Sequence, residues 1–274
     1  MASDNDKKLE RALDLMRRVP PQNTNKHLGD LIDICPSLTE ELLSAVDQPL
    51  SSKTDDLKEQ DFIICDYNRD GDSYRSPWSN LYYPYISDGY LPPIQLRTIE
   101  EELNEAFKIY MDMYYGEEAL SSVYVWDIDN GFAAAILFKK MMIGENSGCW
   151  DAINIMEVTE RLGRPSHYKL TTTVMTRMRH RDEESGYEMN IGGSLMRQKE
   201  EDLPSDNGHM VNIGQLVEGM ENNIRQQIES VYFGKTRDIV NGVRSLTNLS
   251  EKKQFSRVMN AELTGAISKR KPLE

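Results

Sequence analysis

Cysteine is scarce in this chain. Its three thiols, Cys35, Cys65 and Cys149, are odd in number, widely spaced and without a C-x-x-C pair, which excludes a disulfide framework and a zinc site and leaves three small buried thiols in a reducing compartment. Long apolar runs are missing as well, and no stretch approaches the roughly 20 residues of a membrane span. The opening MASDNDKKLE has no apolar targeting core, so the expectation is a soluble, unsecreted, cytoplasmic chain. Positive charge is in deficit: 32 Lys and Arg against 45 Asp and Glu leave a net charge of -13. Such a surface repels a phosphate backbone, and no basic run dominates, so nucleic acid is excluded as a partner. The four histidines, His27, His167, His180 and His209, stand beside no nucleophile elbow or catalytic cysteine signature. Gly192 and Gly193 lie in IGGSLMR without a phosphate-cradling pattern around them, and two glycines in a strand mark a bulge or close backbone packing. No enzyme, metal or cofactor is indicated.

One acidic stretch invites a metal reading. In DYNRDGDSYRSP, Asp66, Asn68, Asp70 and Gly71 fall at positions one, three, five and six of a calcium loop. Position twelve, where a bidentate carboxylate is required, is Pro77, and the preceding FIIC reads as a strand rather than an entering helix. The favoured reading is an acidic turn whose side chains bond local backbone N–H groups. A calcium-dependent regulator is its functional rival.

The remaining pattern predicts an α+β protein. Residues 1–47 read as an antiparallel helical module: Leu9, Leu13 and Met16 stripe a helix ended by Pro20 and Pro21, Leu28, Leu31 and Ile32 stripe a second closed by Pro36, and Ser37 with Glu40 reads as a capping box opening a third. Residues 48–116 read as an irregular small β region, loop-rich with short strands of which Phe62 to Cys65 is the one clear run, followed by a connecting helix from about Gln95 to Tyr115 carried by Ile99, Leu103, Phe107, Tyr110 and Tyr114 and stopped by Gly116. Residues 117–200 carry five β-branched and aromatic runs with short links, an antiparallel meander. Its firmest pair, Ser121 to Ile128 and Phe132 to Lys139, flanks Asp129, Asn130 and Gly131, residues suited to a hairpin turn. No internal repeat is seen.

From Val211 to Ser245, within a segment 201–245 read as a long helix and a short following one, Ile213, Leu216, Val217, Met220, Ile224, Ile228 and Val231 recur in steps of three or four. They form one helical face able to cover the sheet. The tail, 246–274, is read as a mobile amphipathic helix with Phe255, Met259, Leu263 and Ile267 four apart. In it six Lys and Arg outnumber three Asp and Glu. A basic amphipathic helix at a chain end folds back on its own core, lies on a membrane or enters a partner's groove.

LDLMRR, VDQPL, CDYNRDGDSYRSPWSN, SSVYVWD, GCWD, HYKL, GGSL, NIG and YFGKTRDIVNG, between about Leu9 and Ser245, strongly resemble the β subunits of the heterodimeric F-actin capping protein family, known in muscle as CapZ. The resemblance implies a binding protein rather than an enzyme: a β subunit pairs with a similarly folded α subunit, each gives five strands to one continuous sheet, and the pair binds the filament barbed end and blocks subunit exchange. It implies that Arg225 occupies one basic position of the β contribution, while Asn223 replaces a second. It implies that the tail is a tentacle whose actin-facing side is Phe255, Met259, Leu263 and Ile267, with Gly265 weakening its helix by about 1 kcal/mol relative to alanine. Arg18 and Tyr82 match positions implicated in binding capping-protein-interaction motif peptides such as those of CARMIL proteins. Phosphoinositides are implied as inhibitors. Arg18 capping its helix end and Tyr82 packing in the irregular region are the purely structural readings. A membrane-surface adaptor resting on Lys269 to Lys271 is a third functional class.

Overall fold

The computed structural model describes residues 4–116, 118–144, 147–161, 163–182, 187–204, 208–244 and 256–258. The chain divides into two compact units, 1–222 and 223–274.

The first unit opens with α1 (Asp4–Met16), α2 (Thr24–Ile34) and α3 (Thr39–Ala45), whose stripes close a small core on Met16, Leu28, Leu38 and Leu42. The expected capping box is absent. Pro36–Leu38 forms a 3-10 turn, α3 begins after Leu38, and Thr39 Oγ1 donates back to the Pro36 carbonyl. Proline at the head of that turn sets the entry without a side-chain cap.

Residues 51–83 hold the expected short strands, paired in two small sheets. β1 (Ser51–Asp55) pairs antiparallel with β2 (Gln60–Ile64), and β3 (Arg69–Asp70), β4 (Ser73–Arg75) and β5 (Tyr82–Tyr83) form a second small sheet. These strands are too short for a period-two signal. α4 (Ile94–Tyr115) follows and stops at Gly116, whose φ of 70° is open to glycine.

The main sheet is an antiparallel meander, β6 (Leu120–Ile128), β7 (Gly131–Met142), β8 (Ser147–Thr159), β9 (Ser166–Asp182) and β10 (Tyr187–Leu203), in sequential order. The β6–β7 turn contains Asp129 and Asn130, and Asn130 takes the positive φ, 62°. Gly131 serves another purpose: a Cβ there would lie 1.9 Å from the Val158 carbonyl oxygen of β8. Gly192 is likewise a close-packing position, since its Cβ would be 3.4 Å from the Pro21 ring, and the β9–β10 register runs through it without a bulge.

The sheet is covered on both faces, and β7 is buried from Phe132 to Phe138. On one face Phe107 and Tyr110 of α4 meet Phe138, with ring centroids 5.3 and 5.6 Å apart. Phe132, on the same side, meets His209 at the start of α5 (His209–Ile228). The apolar stripe of α5 is buried at Ile213, Leu216, Val217 and Met220, as an amphipathic lid requires. Tyr114 and Tyr115 of α4 donate to Glu218 and Glu221 of α5. On the other face Tyr124, Leu137 and Ile153 pack with Leu50 and Ile63, and the 3-10 turn at Pro21 lies against β10.

In the second unit the helical path continues through a π-helical turn, Glu229–Gly234, into α6 (Lys235–Arg244). The long helical stretch is therefore interrupted, and Val231, expected on the apolar face, is 49% exposed.

Candidate functional site

The two edges of the main sheet are treated differently. α4 runs along β6 and satisfies its outer backbone with side chains. Asn104 Oδ1 accepts the Val123 N–H at 2.8 Å, Asn104 Nδ2 donates to the Val123 carbonyl at 2.9 Å, and Glu100 Oε2 accepts the Val125 N–H at 2.8 Å. Glu100 is fully buried and held by both guanidinium nitrogens of Arg75 at 2.7 Å, with Arg97 beside it. A charged pair is tolerated there because each oxygen has donors and each charge a partner. This edge is closed.

β10, at the far side, has a strand neighbour only in β9. Among the described residues one backbone bond reaches its outer edge, from Ser194 N–H to the Arg17 carbonyl at 3.1 Å. A 17-residue edge strand of this kind is a template for further pairing. No helix among the described residues is long and apolar enough to cross a membrane.

Arg225 lies in the last turn of α5, in the second unit, and is half-buried. Asn223, on the same turn, is exposed and accepts a hydrogen bond from Gln227 at 2.5 Å. Arg18 sits in the turn that ends α1, exposed, with its guanidinium 2.7 Å from Asp14. Tyr82, in β5, is 6% exposed. Its hydroxyl donates to the Tyr90 carbonyl at 2.8 Å and its ring fills the space over Gly89, while burial pushes its phenol up. Phe255, Met259, Leu263 and Ile267 lie outside the described residues. Within the tail, 256–258 form one helical turn with Val258 exposed.

The acidic stretch from Asp66 is a structural turn. Asn68 is buried, its Oδ1 accepting the Cys65 N–H at 2.9 Å and its Nδ2 donating to the Arg75 carbonyl at 2.8 Å, so the amide is committed to the backbone. Among the described residues no three His, Cys, Asp or Glu side chains gather as a metal site.

An α+β chain with one sheet edge sealed, the other open, and a long lid helix leading into a basic tail is built as a binding subunit. It belongs to the F-actin capping protein β-subunit family, whose model, described as "F-actin capping protein, beta subunit", matches residues 9–240. The F-actin-capping protein subunit beta of Drosophila melanogaster is 52% identical over 264 residues, 94% of this chain and 95% of the relative. That of Caenorhabditis elegans is 47% identical over 270 residues, covering 97% and 98% of the two chains. The family's members are actin-binding proteins of the cytoskeleton, not enzymes. Among solved structures, the homodimeric actin capping protein alpha subunit from Plasmodium berghei shares the fold, with a TM-score of 0.52 at 17% identity over 89% of this chain and 98% of that one.

Proposed function

We propose that this chain is the β subunit of a heterodimer that binds the barbed ends of actin filaments and blocks subunit exchange, without calcium. The observation that carries it is the match to relatives named as capping-protein β subunits along almost the whole of both chains. The open edge of β10 supports pairing with an α subunit's sheet, which would satisfy its free N–H and C=O groups. In this reading Arg225 steers the complex to an acidic filament end. Residues 246–274 act as the tentacle, Phe255, Met259, Leu263 and Ile267 entering an apolar cleft on actin; burying each of these side chains contributes about 1.5–3 kcal/mol, less the cost of ordering the tail. Arg18 meets capping-protein-interaction motif peptides of the CARMIL kind directly, and Tyr82, tied to Tyr90, shapes that surface from within. Phosphoinositides compete through the same basic groups, and the complex works in the cytoplasm on the actin cytoskeleton.

The test is elongation of pyrenyl actin from filament seeds, with the chain co-expressed with an α subunit and compared with a version ending at Ser245. Substoichiometric inhibition that weakens on truncation and is unchanged by a calcium chelator is expected. No inhibition by a folded heterodimer would separate the fold from the activity.

A further inference from the structure

A cavity of about 310 Å³ lies at the end of the main sheet where β7 turns into β8, bounded by Pro21 and Pro49 on one side and by Met141, Met142 and Ile143 on the other. Three charged side chains line it: Lys139, Asp151 and Arg177. Two of them are spent. Lys139 Nζ is 3.1 Å from Asp151 Oδ1 and donates to the Leu50 carbonyl at 2.7 Å, while Asp151 Oδ2 accepts the Leu50 N–H at 3.1 Å.

Arg177 is different. Its Nε is buried without an acceptor, and among the described residues its guanidinium has no ion pair. Cys149, its register neighbour on β8, offers no counter-charge, because burial pushes that thiol up and keeps it neutral. With Lys139 and Asp151 paired, Arg177 is, among the described residues, the charged group of this mostly apolar pocket that has no ion pair. A guanidinium fork matches the two oxygens of a carboxylate. The hairpin side of the pocket is apolar yet open to water, Met142 being 54% and Ile143 90% exposed, and methionine adapts its shape to what it covers. The volume stands at the lower end of small-ligand cavities, about 300–1,000 Å³, so it suits one small molecule rather than a protein segment.

We propose that this pocket binds a small amphiphilic carboxylate, with Arg177 holding the two carboxylate oxygens and Met141, Met142, Ile143 and the two prolines enclosing the apolar body. The test uses the full-length chain co-expressed with an α subunit, titrated calorimetrically with decanoate, decanol and decylamine. Saturable 1:1 binding of decanoate below about 1 mM is expected. Decanol and decylamine should bind at least about tenfold more weakly, because neither accepts two charge-assisted hydrogen bonds. Arg177→Met should lose the same factor and Arg177→Lys recover part of it. Met142→Asp alters an exposed side chain and leaves the melting temperature unchanged, yet it should weaken decanoate and not decylamine. Absence of saturable decanoate binding, equal binding of the three probes, or undiminished binding to either Arg177→Met or Met142→Asp would each overturn the proposal.

Discussion

Asp55 gathers five donors on one carboxylate: the hydroxyls of Ser76 and Tyr83 and the N–H groups of Leu57, Lys58 and Ser79. Burial alone would raise its pKa, and these bonds together outweigh that and hold it at about 2. Because the folded value lies below the unfolded one, the carboxylate stabilises the fold at pH values above about 4, and that stability is lost as pH falls toward 2. Asp55→Asn should therefore cost about 2 kcal/mol more at pH 7 than at pH 2.5, measured by urea unfolding at both values. Glu100 is a stricter case. Glu100→Gln keeps the shape and leaves Arg75, 3% exposed, with a buried charge and no counter-ion. A loss of about 3–5 kcal/mol is expected, whereas Arg69→Ala, on a half-exposed side chain, should stay within about 0.5 kcal/mol. In the sequence Asp55, Glu100 and Asn104 are indistinguishable from surface polar residues, because only the packing around them supplies the partners that make burial tolerable.

α4 shows what that blindness does at the level of an element. Periodicity places its stripe on Ile99, Leu103, Phe107, Tyr110 and Tyr114, yet the buried face is Glu100, Leu103, Asn104, Phe107 and Met111, and Tyr114 is 49% exposed. The rotation is small and its cause is specific: β6 presents unpaired backbone groups, and the polar residues of α4 turn inward to meet them. A signal was present, since Glu100 and Asn104 are four apart and flank Leu103, but hydrophobic periodicity discounts polar residues by construction. Asn104→Leu should leave the Val123 N–H and C=O both unmet and cost about 2–5 kcal/mol in thermal unfolding. Gly131→Ala tests the sheet's interior in the same way. Its Cβ would meet a backbone carbonyl that cannot move aside, so a loss of about 1–3 kcal/mol or more is expected. Gly214→Ala in α5, where nothing lies within 4 Å of the added atom, should instead stabilise by about 0.5–1 kcal/mol.

For the whole molecule, the unequal sheet edges set how the chain should behave by itself. With β6 sealed by α4 and β10 open, the chain expressed alone should aggregate, while co-expression with an α subunit should give a soluble 1:1 complex on size exclusion. A monodisperse isolated chain would show that β10 needs no partner. Charge acts over a longer range. In the proposed capping reading, a chain of net charge -13 steers toward an acidic filament end through local positive groups, so Arg225→Glu should slow association with barbed ends about tenfold at low salt, with the difference shrinking as ionic strength rises.

Fold class, the order of the five long strands, the lid helix and the family are legible in the residues alone. These rest on signals that survive without neighbours: periodicity over many residues, turn chemistry, and long motifs such as CDYNRDGDSYRSPWSN and YFGKTRDIVNG. Only the folded chain decides the bounds and pairing of the short strands between Ser51 and Tyr83, the inward turn of Glu100 and Asn104, the sealing of one sheet edge, the burial of Tyr82 and the buried Nε of Arg177 without an acceptor. Each of these depends on which backbone or side-chain group arrives from far along the chain, and local pattern carries no record of that.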